Sequence, residues 1–317
     1  MIKNAISSTA SLVLLMFLGY LMGKTKAIEE HGGEKVLAYM QASWILPIFV
    51  FYNVYNSFSG RDEIINLLKN LPIPFFLIGI MLAFGALAAK LMHIDRSRKG
   101  AFIDGHAFAN TSFIGFPLIT SLFGPKSITV CMIYYVANTL MFFTAGTWLL
   151  GLDAGNQTKP SLKESLKKIF SPMVIALIIG LIVKMLNITL PAFMCTAMGY
   201  FSSVSPCLGM IFVGIVIRQN KLDVSYIKDI SKLLGMRYLI IPFVIGFTLL
   251  LLPIDNEAKT IFFVLSLMPS VTQLSIMSQV IGSDSAFCAV WLTVSTVVGV
   301  VYIPVIVMMA EKVFHFI

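Results

Sequence analysis

Asn110-Thr-Ser-Phe-Ile-Gly-Phe-Pro117 and Met268-Pro-Ser-Val-Thr-Gln273 are polar, proline-containing interruptions inside long apolar runs. Each is followed by about two helical turns and a glycine stop, Gly124-Pro-Lys and Gly282-Ser-Asp. A proline within a helix removes one hydrogen bond and clashes with the preceding turn. In hydrocarbon such a break is tolerated only where it is packed in protein or lines a wet cavity. The surrounding chain shows that hydrocarbon is the right frame. Its 317 residues are 58% apolar or aromatic and 12% charged, against roughly 45–50% and 25% in soluble domains. Mean hydropathy is +0.89. A helix needs roughly 20 apolar residues to cross a bilayer, and the runs read as ten spans near 6–23, 34–57, 71–92, 100–123, 126–150, 169–187, 192–217, 232–252, 258–281 and 285–311. The expected fold is therefore an all-α polytopic membrane protein with ten transmembrane helices. The connections are too short for a large catalytic or nucleic-acid-binding domain.

The net charge of +8 follows the membrane, not a nucleic acid. Sixteen of the 23 basic residues fall on one set of alternating connections, including Arg96, Arg98, Lys99, Lys159, Lys163, Lys167, Lys168, Arg218, Lys221, Lys232 and Arg237. The positive-inside bias puts that side in the cytoplasm and both termini on the extracytoplasmic side of the cell membrane. No basic residue is expected near the middle of a span. The stretch Ala5–Gly23 is longer than a signal-peptide core and carries more positive charge after it than before it, so it reads as a retained helix. Cys131, Cys195, Cys207 and Cys288 all fall inside spans without a C-x-x-C pair, which speaks against a disulfide or metal site and for small buried hydrophobes.

Five spans lie in residues 1–150 and five in 169–317, joined by a polar linker at 151–168. An odd number of helices places two similar halves in opposite orientations, an inverted 5+5 repeat common among carriers. The two interruptions then occupy matching positions, the fourth and ninth helices. Paired breaks of this kind are the best sequence pointer to a substrate site.

Ala109-Asn-Thr-Ser-Phe-Ile-Gly-Phe-Pro-Leu118 resembles the fourth-helix motif of the auxin efflux carrier family, approximately G-N-T-G-F-L-G-I-P-L. Met268 to Asp284 is similar to its ninth-helix motif, and Arg237-Tyr-Leu-Ile-Ile-Pro242 to its eighth helix. Ala109 and Ser112 stand where the family has glycines, Gln273 where it has Asn, and Val280-Ile281 where it has Gln-Tyr. The resemblance implies a scaffold domain (helices 1, 2, 6, 7) and a transport domain (3–5, 8–10) in which broken helices 4 and 9 cross. Plant members, the PIN carriers, move auxin, and bacterial relatives include carriers assigned to malonate or malate.

Free N–H groups at the start of a helix carry partial positive charge and suit a carboxylate. Pro117 and Pro269 can start the second half-helices, where a missing N–H costs nothing. Asn110, Thr111 and Ser112 in one half, and Ser270, Thr272 and Gln273 in the other, supply amides and hydroxyls; each could equally be an ordinary interhelical hydrogen bond. Tyr135 and Asn138, three apart in the fifth helix, could line the same cavity or serve packing. Asp104 and His106 are the ionisable pair well inside a span, and intramembrane ionisable groups default to functional candidates. His106 lies four residues before Asn110, on the same helical face, and could couple a proton to transport. Gly19 and Gly23 form a G-x-x-x-G that reads as close packing.

The expected partners are a small organic anion and the lipid bilayer, with a homodimer as an option and no nucleic acid, cofactor or metal. The alternative carrier is a sodium-coupled symporter of the bile acid transporter kind, which sodium-dependent uptake would reveal. An enzyme is not expected: G-x-S-x-G, H-E-x-x-H and P-loop patterns are missing.

Overall fold

The computed structural model is helical and describes residues 2–29, 32–58, 61–155, 172–219 and 223–314. Most of the linker, with Lys159, Lys163, Lys167 and Lys168, and also Lys221, lie outside the described residues. Six helical stretches are long and apolar enough to cross a membrane: Lys35–Asn56, Pro72–Leu91, Pro125–Asp153, Ala192–Gln219, Val224–Leu251 and Ser285–Phe314. These match the second, third, fifth, seventh, eighth and tenth expected spans. Ala10–Met22 and Pro172–Met185 are shorter apolar helices, and the fourth and ninth expected spans are interrupted. Large apolar side chains face outward, among them Phe243 at 72% and Val301 at 75% exposure, as lipid contact requires and water would penalise.

Prolines leave a regular signature. Five-residue π turns at Gln41–Ile45, Thr111–Gly115 and Met236–Ile240 each end two residues before a proline, Pro47, Pro117 and Pro242. A wider turn relieves the clash of the pyrrolidine ring with the carbonyl four residues back and absorbs the missing donor. Pro206 and Pro304 instead lie inside the helices Ala192–Gln219 and Ser285–Phe314.

The chain forms two compact units, each drawing on both halves of the sequence. Unit 1 comprises Met1–Leu71, Ser112–Ile133 and Phe170–Gln219. Within this unit lies the segment Ser112–Ile133. Its Phe116 stacks on Phe49 with ring centres 6.4 Å apart, and its Phe113 lies 5.1 Å from Phe212. The helices Ile2–Met22 and Ala192–Gln219 approach backbone to backbone. A Cβ on Gly19 would run into the Ile211 carbonyl oxygen, and one on Gly214 into that of Met16. Small residues are what permit such an approach. Gly19 therefore packs closely as expected, whereas a Cβ on Gly23 would meet the Arg218 side chain at 3.0 Å. Gly214→Ala should lower stability by about 1–3 kcal/mol in detergent melts. Gly79→Ala, with nothing within 4 Å of the new Cβ, should be neutral or slightly stabilising in the same assay.

Unit 2 comprises Pro72–Thr111, Tyr134–Ile169 and Asn220–Ile317. At one end Arg98 pairs with Asp284 at 3.3 Å and with Asp229 at 3.7 Å, and its guanidinium lies 4.8 Å from the Tyr226 ring centre. Asp284 also accepts from the Phe287 N–H at 3.0 Å, capping the helix Ser285–Phe314, and from the Tyr226 hydroxyl at 3.1 Å. The cluster ties together the starts of three helices, beginning at Lys99, Ile227 and Ser285. In the turns leading to it, the Ser97 hydroxyl and backbone N–H hold the Asp95 carboxyl below its ordinary range. The Ser225 backbone N–H does the same for Asp223.

Candidate functional site

Both interruptions are real breaks, and they bond to each other inside unit 2. The helix Lys99–Ala107 ends with the Phe108 N–H donating to the Asp104 carbonyl at 2.9 Å. Helical backbone resumes at Thr111 and runs through Phe123. The helix Asn256–Ser266 is followed by six non-helical residues before Gln273–Ile281. Between the two breaks, Ala109 and Ser270 form an antiparallel bridge. It is flanked by Asn110 N–H donating to the Pro269 carbonyl at 2.7 Å and Val271 N–H donating to the Phe108 carbonyl at 3.4 Å.

Buried backbone groups that leave a helix must find partners elsewhere, and side chains supply them. The second edge of Ala109 is filled by Asn138. Its Nδ2 donates to the Ala109 carbonyl at 3.1 Å, and its Oδ1 accepts from the Ala109 N–H at 3.2 Å. Asn138 thus acts as a third strand one residue long. The Ser270 N–H donates to Ser295 Oγ at 3.2 Å. Trp291, fully buried in the helix Ser285–Phe314, donates from Nε1 to the Gly105 carbonyl at 3.1 Å. A Cβ on Gly105 would lie 2.6 Å from that nitrogen, so glycine is required here for the indole to approach.

The largest departure from expectation is Arg237. Sequence reasoning placed it on a basic connection and expected no cation near the middle of a span. It is in fact fully buried and lies halfway along Val224–Leu251. Its Nη1 donates to the Gly105 carbonyl at 3.2 Å and to the His106 carbonyl. Its Nε donates to the Met268 carbonyl at 3.2 Å, and its Nη2 donates to Met268 and, at 3.4 Å, to Ser266. One guanidinium therefore caps the C-terminal ends of Lys99–Ala107 and Asn256–Ser266 together. Helix C-termini carry partial negative charge, and Arg presents five donors in a rigid fork. Among the described residues the ion pairs are those of Arg98 and Lys232 with Asp229 and Asp284, and none involves Arg237. The π turn Met236–Ile240 also aims Tyr238, whose hydroxyl donates to the Ser295 carbonyl at 3.0 Å.

The expected site residues divide as follows. Asn110, Thr111, Pro269, Ser270, Tyr135 and Asn138 are buried in unit 2, and Thr272 and Gln273 are half-buried there, bonded to each other at 3.2 Å. Ser112 and Pro117 are buried in unit 1. The Ser270 hydroxyl is buried without a hydrogen-bond partner among the described residues. The prolines do not start the second half-helices: helicity resumes at Thr111, ahead of Pro117, and at Gln273, beyond Pro269. The Ala109–Ser270 pairing, and not proline, sets where each helix stops. His106 and Asn110 do not share a helical face either, because the helix ends at Ala107. Asp104 and His106 are fully buried in unit 2. Cys131 and Cys288 are buried as expected, whereas Cys195 and Cys207 are half-buried, and none of the four forms a disulfide among the described residues.

Broken, paired helices within a polytopic helical chain are a feature of membrane transporters. The membrane transport protein family, the auxin efflux carrier type, matches residues 4–307, and the chain belongs to it. It is 22% identical over 297 residues to an uncharacterized transporter of Methanothermobacter thermautotrophicus, covering 93% of this chain and 94% of that one. It is 24% identical over 278 residues to an uncharacterized transporter of Methanocaldococcus jannaschii, with coverage of 86% and 85%.

Proposed function

We propose that this transporter is a secondary carrier for a small organic anion such as a mono- or dicarboxylate. It would use ten spans in a 5+5 inverted arrangement, in the cell membrane with both termini outside, and work by alternating access at the paired breaks of the fourth and ninth helices. The observation that carries the reading is Arg237. Two helix C-termini and two following helix starts converge on the breaks. The guanidinium bonds the carbonyls at the two negative ends, and the helix starts at Thr111 and Gln273 would present their positive ends to a solute. In a low-dielectric surrounding the remaining field favours an anion. The Ser270 hydroxyl and the amide of Asn110 would complete the shell.

Saturable uptake of radiolabelled mono- and dicarboxylates into proteoliposomes tests the reading directly. Asn110→Ala should abolish uptake while expression is kept. Ser270→Ala should raise KM about tenfold or more, the worth of a hydrogen bond to a charged group, with an unchanged melting temperature because no internal bond is lost. Failure of every carboxylate to enter would overturn the anion reading.

A further inference from the structure

Resting on the carrier reading, we propose that Asp104 is a proton-binding site that couples anion movement to a proton. Asp104 has 0% exposure, and neither carboxylate oxygen has a hydrogen-bond partner among the described residues. An ionised carboxylate in such a place costs several kcal/mol, by order of magnitude, unless it is paired, whereas the neutral acid needs no counter-charge. The pocket therefore accepts the protonated form at rest and can hold the ionised form only at another stage of a cycle.

The groups around it come from each packed element. Asp153, at the end of Thr147–Asp153, accepts from the Gly100 N–H at 2.6 Å and the Ala101 N–H at 2.8 Å, one turn before Asp104 on the same helix. It also accepts from the Ser283 hydroxyl at 3.2 Å. From Ser285–Phe314 come the buried Cys288 thiol and Trp291, preceded by Asp284. From Met236–Ile240 comes Arg237, bonded to the His106 carbonyl, and the same helix as Asp104 carries His106. Glycine faces Asp104 at Gly146, where a Cβ would lie 3.3 Å from Oδ1.

This arrangement assigns roles. His106 is equally buried, but its protonation would set a second cation beside the Arg237 guanidinium, with no carboxylate bonded to either among the described residues. Asp104 can gain a proton without that repulsion. Asp153 is only half-buried, and its carboxylate accepts from the N-terminal N–H groups of Lys99–Ala107, where negative charge is stabilised, so it can be ionised where Asp104 needs a proton. One proton bound at Asp104 and one monoanion at the breaks then move together without net charge.

The test uses the full chain in proteoliposomes with a labelled monocarboxylate. A one-unit pH gradient, acid on the side of entry, should drive wild-type accumulation about tenfold, the free energy of one proton per solute. Asp104→Asn mimics the neutral acid, so it should fold, melt like wild type and exchange labelled for unlabelled solute. Its accumulation ratio should stay at one. An infrared difference titration of the purified protein should show a carboxylic-acid carbonyl band that Asp104→Asn removes, a readout independent of transport. Gradient-driven accumulation by Asp104→Asn, or an unchanged infrared band, would overturn the proposal. Absence of any wild-type uptake together with the Asp104 band would instead sink the carrier reading and leave the proton site standing.

Discussion

Arg237→Met should be the most damaging substitution in the molecule, eliminating carboxylate uptake and lowering stability by about 4 kcal/mol or more. The carbonyls of His106, Ser266 and Met268 would lose their donor and that of Gly105 would keep only Trp291 Nε1, and each buried acceptor left unmade costs roughly 1–3 kcal/mol. Methionine fills much of the space, so packing loss alone cannot produce the effect. Arg237→Lys separates charge from geometry. An ammonium retains the positive field but offers three donors without the planar fork, so it should recover part of the melting temperature and only a little uptake. Thermal unfolding of the solubilised protein and initial uptake rates measure the two quantities independently. If Arg237→Met melts like wild type, the guanidinium does not hold the breaks together.

How far such a site can be read from sequence depends on the range of the forces that build it. The breaks were legible because the residues that mark them are local: the polar Asn110-Thr-Ser and Ser270-Val-Thr-Gln273, with Pro117 and Pro269, stand out within apolar runs. Their mutual bonding was legible only through resemblance, since the backbone of Asn110 meets that of Pro269 across more than half of the chain. Arg237 was misread for a definite reason. It follows Lys228 and Lys232 at the edge of an apolar run, a pattern that ordinarily marks the end of a span. Nothing local records that its acceptors lie at Gly105 and His106 in another part of the sequence. The one local hint is Pro242, because three of the four π turns among the described residues, all but Phe142–Gly146, end two residues before a proline, and such turns are frequent at functional sites. His106 illustrates the opposite error. A four-residue spacing to Asn110 implies a shared face only if the helix persists, and it stops at Ala107.

Asn138 was a weak candidate by composition, yet Asn138→Leu should be nearly as severe as loss of the arginine. The Asn amide, like that of Gln, presents one donor and one acceptor side by side at neutral charge, as a peptide group does. At this position it gives Ala109 both of the bonds that a neighbouring strand would give. Leucine preserves volume but leaves the Ala109 N–H without its acceptor and removes a donor from its carbonyl. At roughly 1–3 kcal/mol for each group, the expected loss is about 2–6 kcal/mol. Because Ala109 also faces Ser270 across the bridge, the damage extends to both breaks, and uptake should fall with stability. Asn138→Asp is the sharper variant. A carboxylate can still accept from the Ala109 N–H but cannot donate to its carbonyl, and its negative charge would oppose an anionic solute. Protonation restores a donor and removes the charge, so Asn138→Asp uptake should recover as pH is lowered, whereas Asn138→Leu uptake should not. Equal behaviour of the two variants across pH would show that Asn138 serves by shape alone.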